Sequence, residues 1–209
     1  MSSAFITTKP IIDNSDPFSA LAFRFFFVAV GFYLFSVYSK QSIIIKKKNL
    51  VESVLSGVLF HGFYLGGVFY SISIGMPTGI AALIVTLQPV LTNALSGPIL
   101  GEKVTLKQWI GVLLGFIGAA LVLGFDIGSE IPLLGLVATI VALVAITTST
   151  IWQKKLSNNL PLSVSNFYQA LGGCVFHIFI IILFAKPYIV FSQTFIIAMS
   201  HQIFLVSFG

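Results

Sequence analysis

What this chain has least of is charge: only 8% of its 209 residues are charged, while 57% are hydrophobic. Soluble domains carry about 25% and roughly 45–50%. So few charged side chains cannot cover a dissolved globule, so most of the apolar surface must face lipid. The single cysteine, Cys174, excludes an intramolecular disulfide, a CxxC redox motif and a cysteine zinc cluster. Met1 to Asp16 lacks the basic start and unbroken apolar stretch of a cleavable leader, and carries Lys9, Pro10, Asp13 and Asp16 instead. The net charge of +5 is spread over short loops, so no nucleic-acid-binding face is expected. Acidic side chains are absent from the apolar runs apart from Glu52 at an edge, which removes the usual carboxylate proton relay. His61 is then the only central titratable group, without an obvious partner for nucleophilic, metal or paired-carboxylate chemistry. An intramembrane enzyme is therefore disfavoured, and no cofactor and no metal is expected.

What the sequence does contain is long apolar runs. Seven approach the roughly 20 residues that a helix needs to cross about 30 Å of hydrocarbon. They run near Pro17 to Tyr38, Leu50 to Ile74, Pro77 to Leu100, Thr105 to Leu123, Pro132 to Trp152, Pro161 to Phe184 and Gln193 to Gly209. Pro17, Pro77, Pro132 and Pro161 mark helix starts, where a missing N–H has no intrahelical partner to lose. The expected fold is all-α: a multi-pass transmembrane helix bundle of about seven full spans, preceded by a half helix over Met1 to Ile12. Lysines collect in every second loop, at residues 39–49, 101–104 and 153–160. Those loops are expected to be cytoplasmic, and Gly75–Met76 and the loop with Asp126 and Glu130 external. Neither end carries a polar flank, so the chain reads as a piece cut at both ends; a complete smaller protein of seven spans is the alternative.

The stretch GMPTGIAALIVTLQPVLTNALSGPILGEKVTLKQWIGVLLGFIGAALVLG, Gly75 to Gly124, resembles the end of an EamA domain of the drug/metabolite transporters. Pro89 takes the place of the family's mid-membrane proline, Gly101 and Glu102 that of its cytoplasmic turn, and Gly111, Gly115 and Gly118 that of its glycine-rich closing helix. Asp16-Pro17 and Arg24 resemble the external turn and second-helix arginine upstream, and Gly135 to Lys155 the opening helix of a second repeat. The resemblance implies a ten-helix inverted-repeat fold. Residues 1–124 would be the first repeat without the start of its first helix, and 132–209 an incomplete second repeat of about three helices.

Polar groups at membrane depth are rare because each costs about 2–4 kcal/mol unless paired or hydrated. Arg24 lies about 10 Å into its helix by the α-helical rise. It either anchors the helix by snorkelling or pairing with Asp13 or Asp16, or contacts an anionic or zwitterionic ligand. His61 and Tyr64 share a helical face at i, i+3, Gln88 sits at comparable depth, and Gln169 follows in the second half. These residues are cavity candidates, with interhelical hydrogen bonding as the rival role. Gln88-Pro89 is expected to form a hinge that also lines the cavity. His177 and His201 are placed nearer the outer ends, within reach of water. Gly62 with Gly66, and Gly111, Gly115 and Gly118, are expected to form helix-packing faces.

The function that follows is alternating-access transport of a small polar or amphipathic metabolite across a cell membrane, the inner membrane in a bacterium. The expected partners are the lipid bilayer and the small-molecule substrate, with a homodimer open because glycine rows pack within or between chains. The competing readings are an inactive truncated membrane fragment and, further off, an intramembrane enzyme.

Overall fold

A computed structural model describes residues 2–100, 105–123, 131–156, 160–184 and 186–208. The chain is all-α over these residues. Helix α1 spans Ser2–Ile12 and α2 spans Pro17–Tyr38. Helix α3 runs over Lys47–Ser73 and includes a π-helical stretch, Val58–Leu65. There follow α4 (Thr78–Val85), α5 (Gln88–Leu100), α6 (Leu106–Leu123), α7 (Leu133–Leu156) and α8 (Leu162–Phe184). Helix α9, Gln193–Ser207, ends in a second π-helical stretch over Gln202–Ser207.

The helix ends follow from local chemistry. Asp16 caps α2, its carboxylate accepting from the Ser19 N–H at 2.8 Å and the Ser19 hydroxyl at 2.9 Å, with Pro17 in the first turn. At the other end Lys40 takes a left-handed conformation (φ 54°). The N–H groups of Lys40 and Gln41 bond back to the carbonyls of Val37 and Ser36, both at 3.0 Å. Gly75 (φ 99°) closes α3 in the same way, with the Met76 N–H on the Ser71 carbonyl at 3.0 Å. Pro77, Pro132 and Pro161 each immediately precede the first residue of a helix.

Among the described residues, five helices are long and apolar enough to cross a membrane: Pro17–Tyr38, Lys47–Ser73, Thr78–Leu95, Leu133–Lys154 and Leu162–Phe184. The third is interrupted at Thr86–Leu87, between α4 and α5. The apolar stretch from Gln193 is a shorter helix, α-helical to His201 and wider over Gln202–Ser207. Of the lysine-rich loops, 101–104 and, within 153–160, residues 157–159 lie outside the described residues, as does the boundary between the two expected repeats. The linker after α2 and Leu160–Pro161 share one recess with Lys46 and Lys48, so these two lysine-bearing connections sit at the same end of the bundle.

Helix α3 is the central element, in contact with α1, α2, α4, α7 and α8, and α2 packs along the length of α8. Both ends of the α2–α8 pair are tied. The N–H of Asp16 bonds the Tyr188 carbonyl at 3.0 Å and that of Val190 the Asn14 carbonyl at 2.8 Å. At the far end Ser163 donates to Gln41 at 2.7 Å and the Tyr168 hydroxyl to the Ile43 carbonyl at 2.9 Å. These ties make α2 and α8 antiparallel. Large apolar side chains such as Phe26, Phe35, Leu114, Val144 and Phe179 stay exposed, which in a chain of this composition is surface for lipid.

What lets α3 approach its neighbours is the absence of side chains. A Cβ at Gly172 would lie 2.6 Å from the Val54 carbonyl oxygen, and one at Gly67 would lie 2.9 Å from that of Ala138. A Cβ at Gly57 would collide with the backbone of Gln169. Gly62 faces the Phe176 ring, and Gly66 faces the His177 ring at 3.1 Å. A Cβ at Gly111, Gly115 or Gly118 would meet no described atom within 4 Å beyond its own stretch of helix, so their expected packing face has no described neighbour. Alanine substitutions should therefore act with opposite signs. Gly57→Ala is expected to destabilise the purified protein by about 1–3 kcal/mol through overpacking. Gly115→Ala should stabilise it by up to about 1 kcal/mol through helix propensity. Thermal unfolding in detergent measures both.

Candidate functional site

The π-helical stretch of α3 lies beside a cavity inside the bundle. A π turn inserts a residue into the helical repeat, and such turns recur at functional sites. His61 and Tyr64 both come from this stretch and both line the cavity, which holds about 400 Å³, inside the roughly 300–1,000 Å³ of small-molecule sites. The ring of His61 packs against Phe25 at 4.3 Å between centroids and Phe60 at 5.0 Å, and its Nδ1 is buried without a partner. Its backbone carbonyl bonds His177 Nε2 at 2.9 Å.

Six helices close the cavity: α1 through Phe5 and Thr8, α2 through Arg24, α3 as above, α7 through Gln153, α8 through Asn166 and Gln169, and α9 through Gln202 and Ser207. Its polar groups form two sets. In one, Gln153 donates to Gln169 Oε1 at 3.0 Å and to the Ser149 hydroxyl at 3.2 Å, while Gln169 donates to Ser165 at 2.9 Å. Ser149 in turn meets Ser56, hydroxyl to hydroxyl at 3.2 Å, so this set joins α3, α7 and α8 through neutral groups alone.

The other set is centred on Arg24, which is 4% exposed. Its Nη1 donates to Gln202 Oε1 at 2.7 Å, and its Nη2 and Nε donate to the Ser207 hydroxyl at 3.0 and 3.3 Å. The guanidinium carbon stands 5.4 Å from the Phe25 ring centroid, a distance at which a cation is attracted by the ring face. Gln202 passes the contact on, its amide donating to the Ala4 carbonyl at 3.2 Å and the Thr7 hydroxyl at 3.1 Å.

Arg24 therefore does not pair with Asp13 or Asp16. Asp13 is exposed and Asp16 is engaged as the cap of α2; the arginine points inward to neutral acceptors on α9. Arg24, His61, Tyr64 and Gln169 are brought to one cavity. Gln88 and Pro89 are not among its lining residues. Gln88 donates to Thr92 and to Thr150 of α7, both at 3.2 Å, which is the interhelical role, and Pro89 is exposed in the first turn of α5. The helix does break beside this pair, at Thr86–Leu87, two residues before the proline ring that cannot donate. His177 is fully buried rather than near water, stacked on Phe25 at 6.0 Å.

Sequence reasoning missed Gln202, Ser207 and Gln153. A glutamine inside the last apolar run was a usable signal for the first. Ser207 and Gln153 carry no such mark, because serine is common at helix interfaces and Gln153 adjoins a lysine-rich end. Among the described residues no group of three His, Cys, Asp or Glu side chains is placed to hold a metal ion.

Comparison with known proteins adds the following. The model of the EamA-like transporter family matches residues 1–124. The chain is 28% identical over 171 residues to the uncharacterized transporter YvbV of Bacillus subtilis, covering 77% of this chain and 54% of the relative. It is 26% identical over 156 residues to a probable amino-acid metabolite efflux pump of Escherichia coli, covering 74% and 50%. A protein of the same description from Salmonella typhimurium is 30% identical over 94 residues, 44% of this chain and 31% of that one. The chain thus spans about half the length, or less, of these curated relatives. One solved crystal structure superposes with a TM-score of 0.74 at 16% identity, over 97% of this chain and 75% of the other, a likeness of fold.

The inward role of Arg24 separates two carboxyl-side and glutamine substitutions. Gln202→Leu, which strips the buried guanidinium of its shortest bond, is expected to destabilise the protein by about 1.5–3 kcal/mol. Asp13→Asn should leave the thermal midpoint in detergent unchanged. Equal losses from the two would restore the surface ion pair.

Proposed function

The chain belongs to the EamA-like transporter family and is a multi-pass membrane protein, and on that premise we propose that its central cavity is the substrate site of a transporter. The substrate class is a small amphipathic metabolite, moved by alternating access. The observation that carries this reading is the cavity itself: about 400 Å³, walled by phenylalanines, with one fixed cation and otherwise neutral hydrogen-bonding groups among its described lining residues. Such a lining recognises an apolar body with polar ends, and its neutral groups let a substrate leave as well as enter. Relatives described as probable amino-acid metabolite efflux pumps point to amino acids and their derivatives as the first compounds to try.

The antiparallel α2–α8 pair supports an inverted-repeat arrangement. Five-helix units necessarily invert, because an odd number of crossings reverses the starting side. In that arrangement α6 and α9 are further spans, bringing the total to seven, and ten helices complete the fold. The lysine-bearing end, with Lys46 and Lys48, faces the cytoplasm by the positive-inside rule. Gln153 and Gln169 then close the cavity on that side, and α1 and α9 cover it beside Arg24.

Reconstitution in liposomes with labelled amino acids and related metabolites tests the reading. Saturable flux is expected, lowered about tenfold by Gln169→Ala or His61→Ala, a loss of about 1.4 kcal/mol. Gln88→Ala, outside the cavity, should change it less than about twofold. Correct insertion without saturable flux, or flux indifferent to both cavity substitutions, would overturn the assignment.

A further inference from the structure

Arg24 has an arrangement that the packing of α2 alone does not need. A guanidinium presents its donors as a planar fork matched to the two oxygens of a carboxylate. Here two arms of that fork, Nε and Nη2, converge on one hydroxyl oxygen, that of Ser207, at 3.3 and 3.0 Å. The third bond, to Gln202 at 2.7 Å, is again to a neutral acceptor. Among the described lining residues there is no carboxylate, so a buried charge faces the cavity without a counter-ion. Both acceptors belong to α9. Ser207 also donates to the Gln202 carbonyl at 3.0 Å, and Gln202 holds α1 through Ala4 and Thr7. Arg24 is thus the point at which α2 grips α9 and, through it, α1.

We propose that the ligand of this cavity carries a carboxylate, whose two oxygens take Nε and Nη2 of Arg24 from Ser207 and so loosen α9 from α2. The proposal rests on the cavity being the substrate site and names the substrate class and the contact that senses it. A bidentate carboxylate supplies the missing charge and a second acceptor where one hydroxyl is shared, so the exchange favours the ligand. The ligand's apolar body lies along Phe5, Phe32 and Phe60, and a polar group at its far end meets Asn166 and Gln169. A ligand moves a conformational equilibrium only by its different affinities for the two states. Competition between carboxylate and Ser207 for the same two N–H groups supplies that difference, because the arginine cannot fully serve both.

The test uses the whole purified chain in detergent and three probes with the same phenyl body: 3-phenylpropionate, 3-phenylpropanamide and 2-phenylethylamine. Equilibrium binding of 3-phenylpropionate is expected to be at least about tenfold tighter than that of the amine, the scale of a charge-assisted hydrogen bond. Arg24→Gln should erase this preference. Ser207→Ala, which removes the competitor, should tighten 3-phenylpropionate about threefold or more and leave the amide unchanged. The wild-type preference and Ser207→Ala carry the test alone if Arg24→Gln does not fold. Equal affinity for acid and amine, or tighter binding of the amine or the amide, overturns the carboxylate assignment while the cavity still stands as a site. A carboxylate preference that Ser207→Ala leaves unchanged or weakens overturns the exchange. Binding of none of the three overturns this inference, and liposome flux separately decides whether the transport reading survives.

Discussion

The bundle depends on how closely α3 lies against α8 and α7. In lipid there is no hydrophobic drive to bring helices together, so association rests on van der Waals contact and hydrogen bonds, both of which need close approach. Gly57, Gly172 and Gly173 remove the side chains between α3 and α8, and Gly67 does the same against α7. Where backbones approach this closely, short hydroxyls reach across, and the Ser56–Ser149 bond is the result.

The cavity is a consequence of the same seam. Gln169 gives its backbone to the contact with Gly57 and its side chain to the cavity wall, so packing and site share a residue. Immediately beyond Gly57, α3 widens into its π stretch, which carries His61 and Tyr64. With α8 pressed to one side of α3, the space beside the wide turn is bounded by α2, then by α1 and α9. Side chains from six helices meet there, although no two of those helices contribute a contiguous motif.

Arg24 shows why residue identity and depth were insufficient to assign a partner. Two aspartates lay about two to three turns upstream, and Coulomb attraction made them the natural expectation. Asp16, however, accepts from the Ser19 N–H and hydroxyl at the start of α2, a local role that competes with any ion pair. The guanidinium instead finds Gln202 and Ser207, 178 and 183 residues away along the chain. Gln88 is the reverse case. Its depth suited a cavity residue, but its partner, Thr150, lies on the adjoining α7.

The sequence by itself determined the membrane setting, the all-helical class and most helix starts, because these depend on composition, run length and local capping chemistry. It also singled out Arg24, His61, Tyr64 and Gln169, since a polar side chain inside an apolar run stands out against its neighbours. Only the tertiary structure decided which of these face one another, that α3 widens beside the cavity, and that Gln202 and Ser207 complete the surroundings of Arg24. The reason is physical: helical periodicity fixes which residues share a face of one helix, whereas the facing of two helices is set by how closely their backbones can approach, a property of both surfaces together.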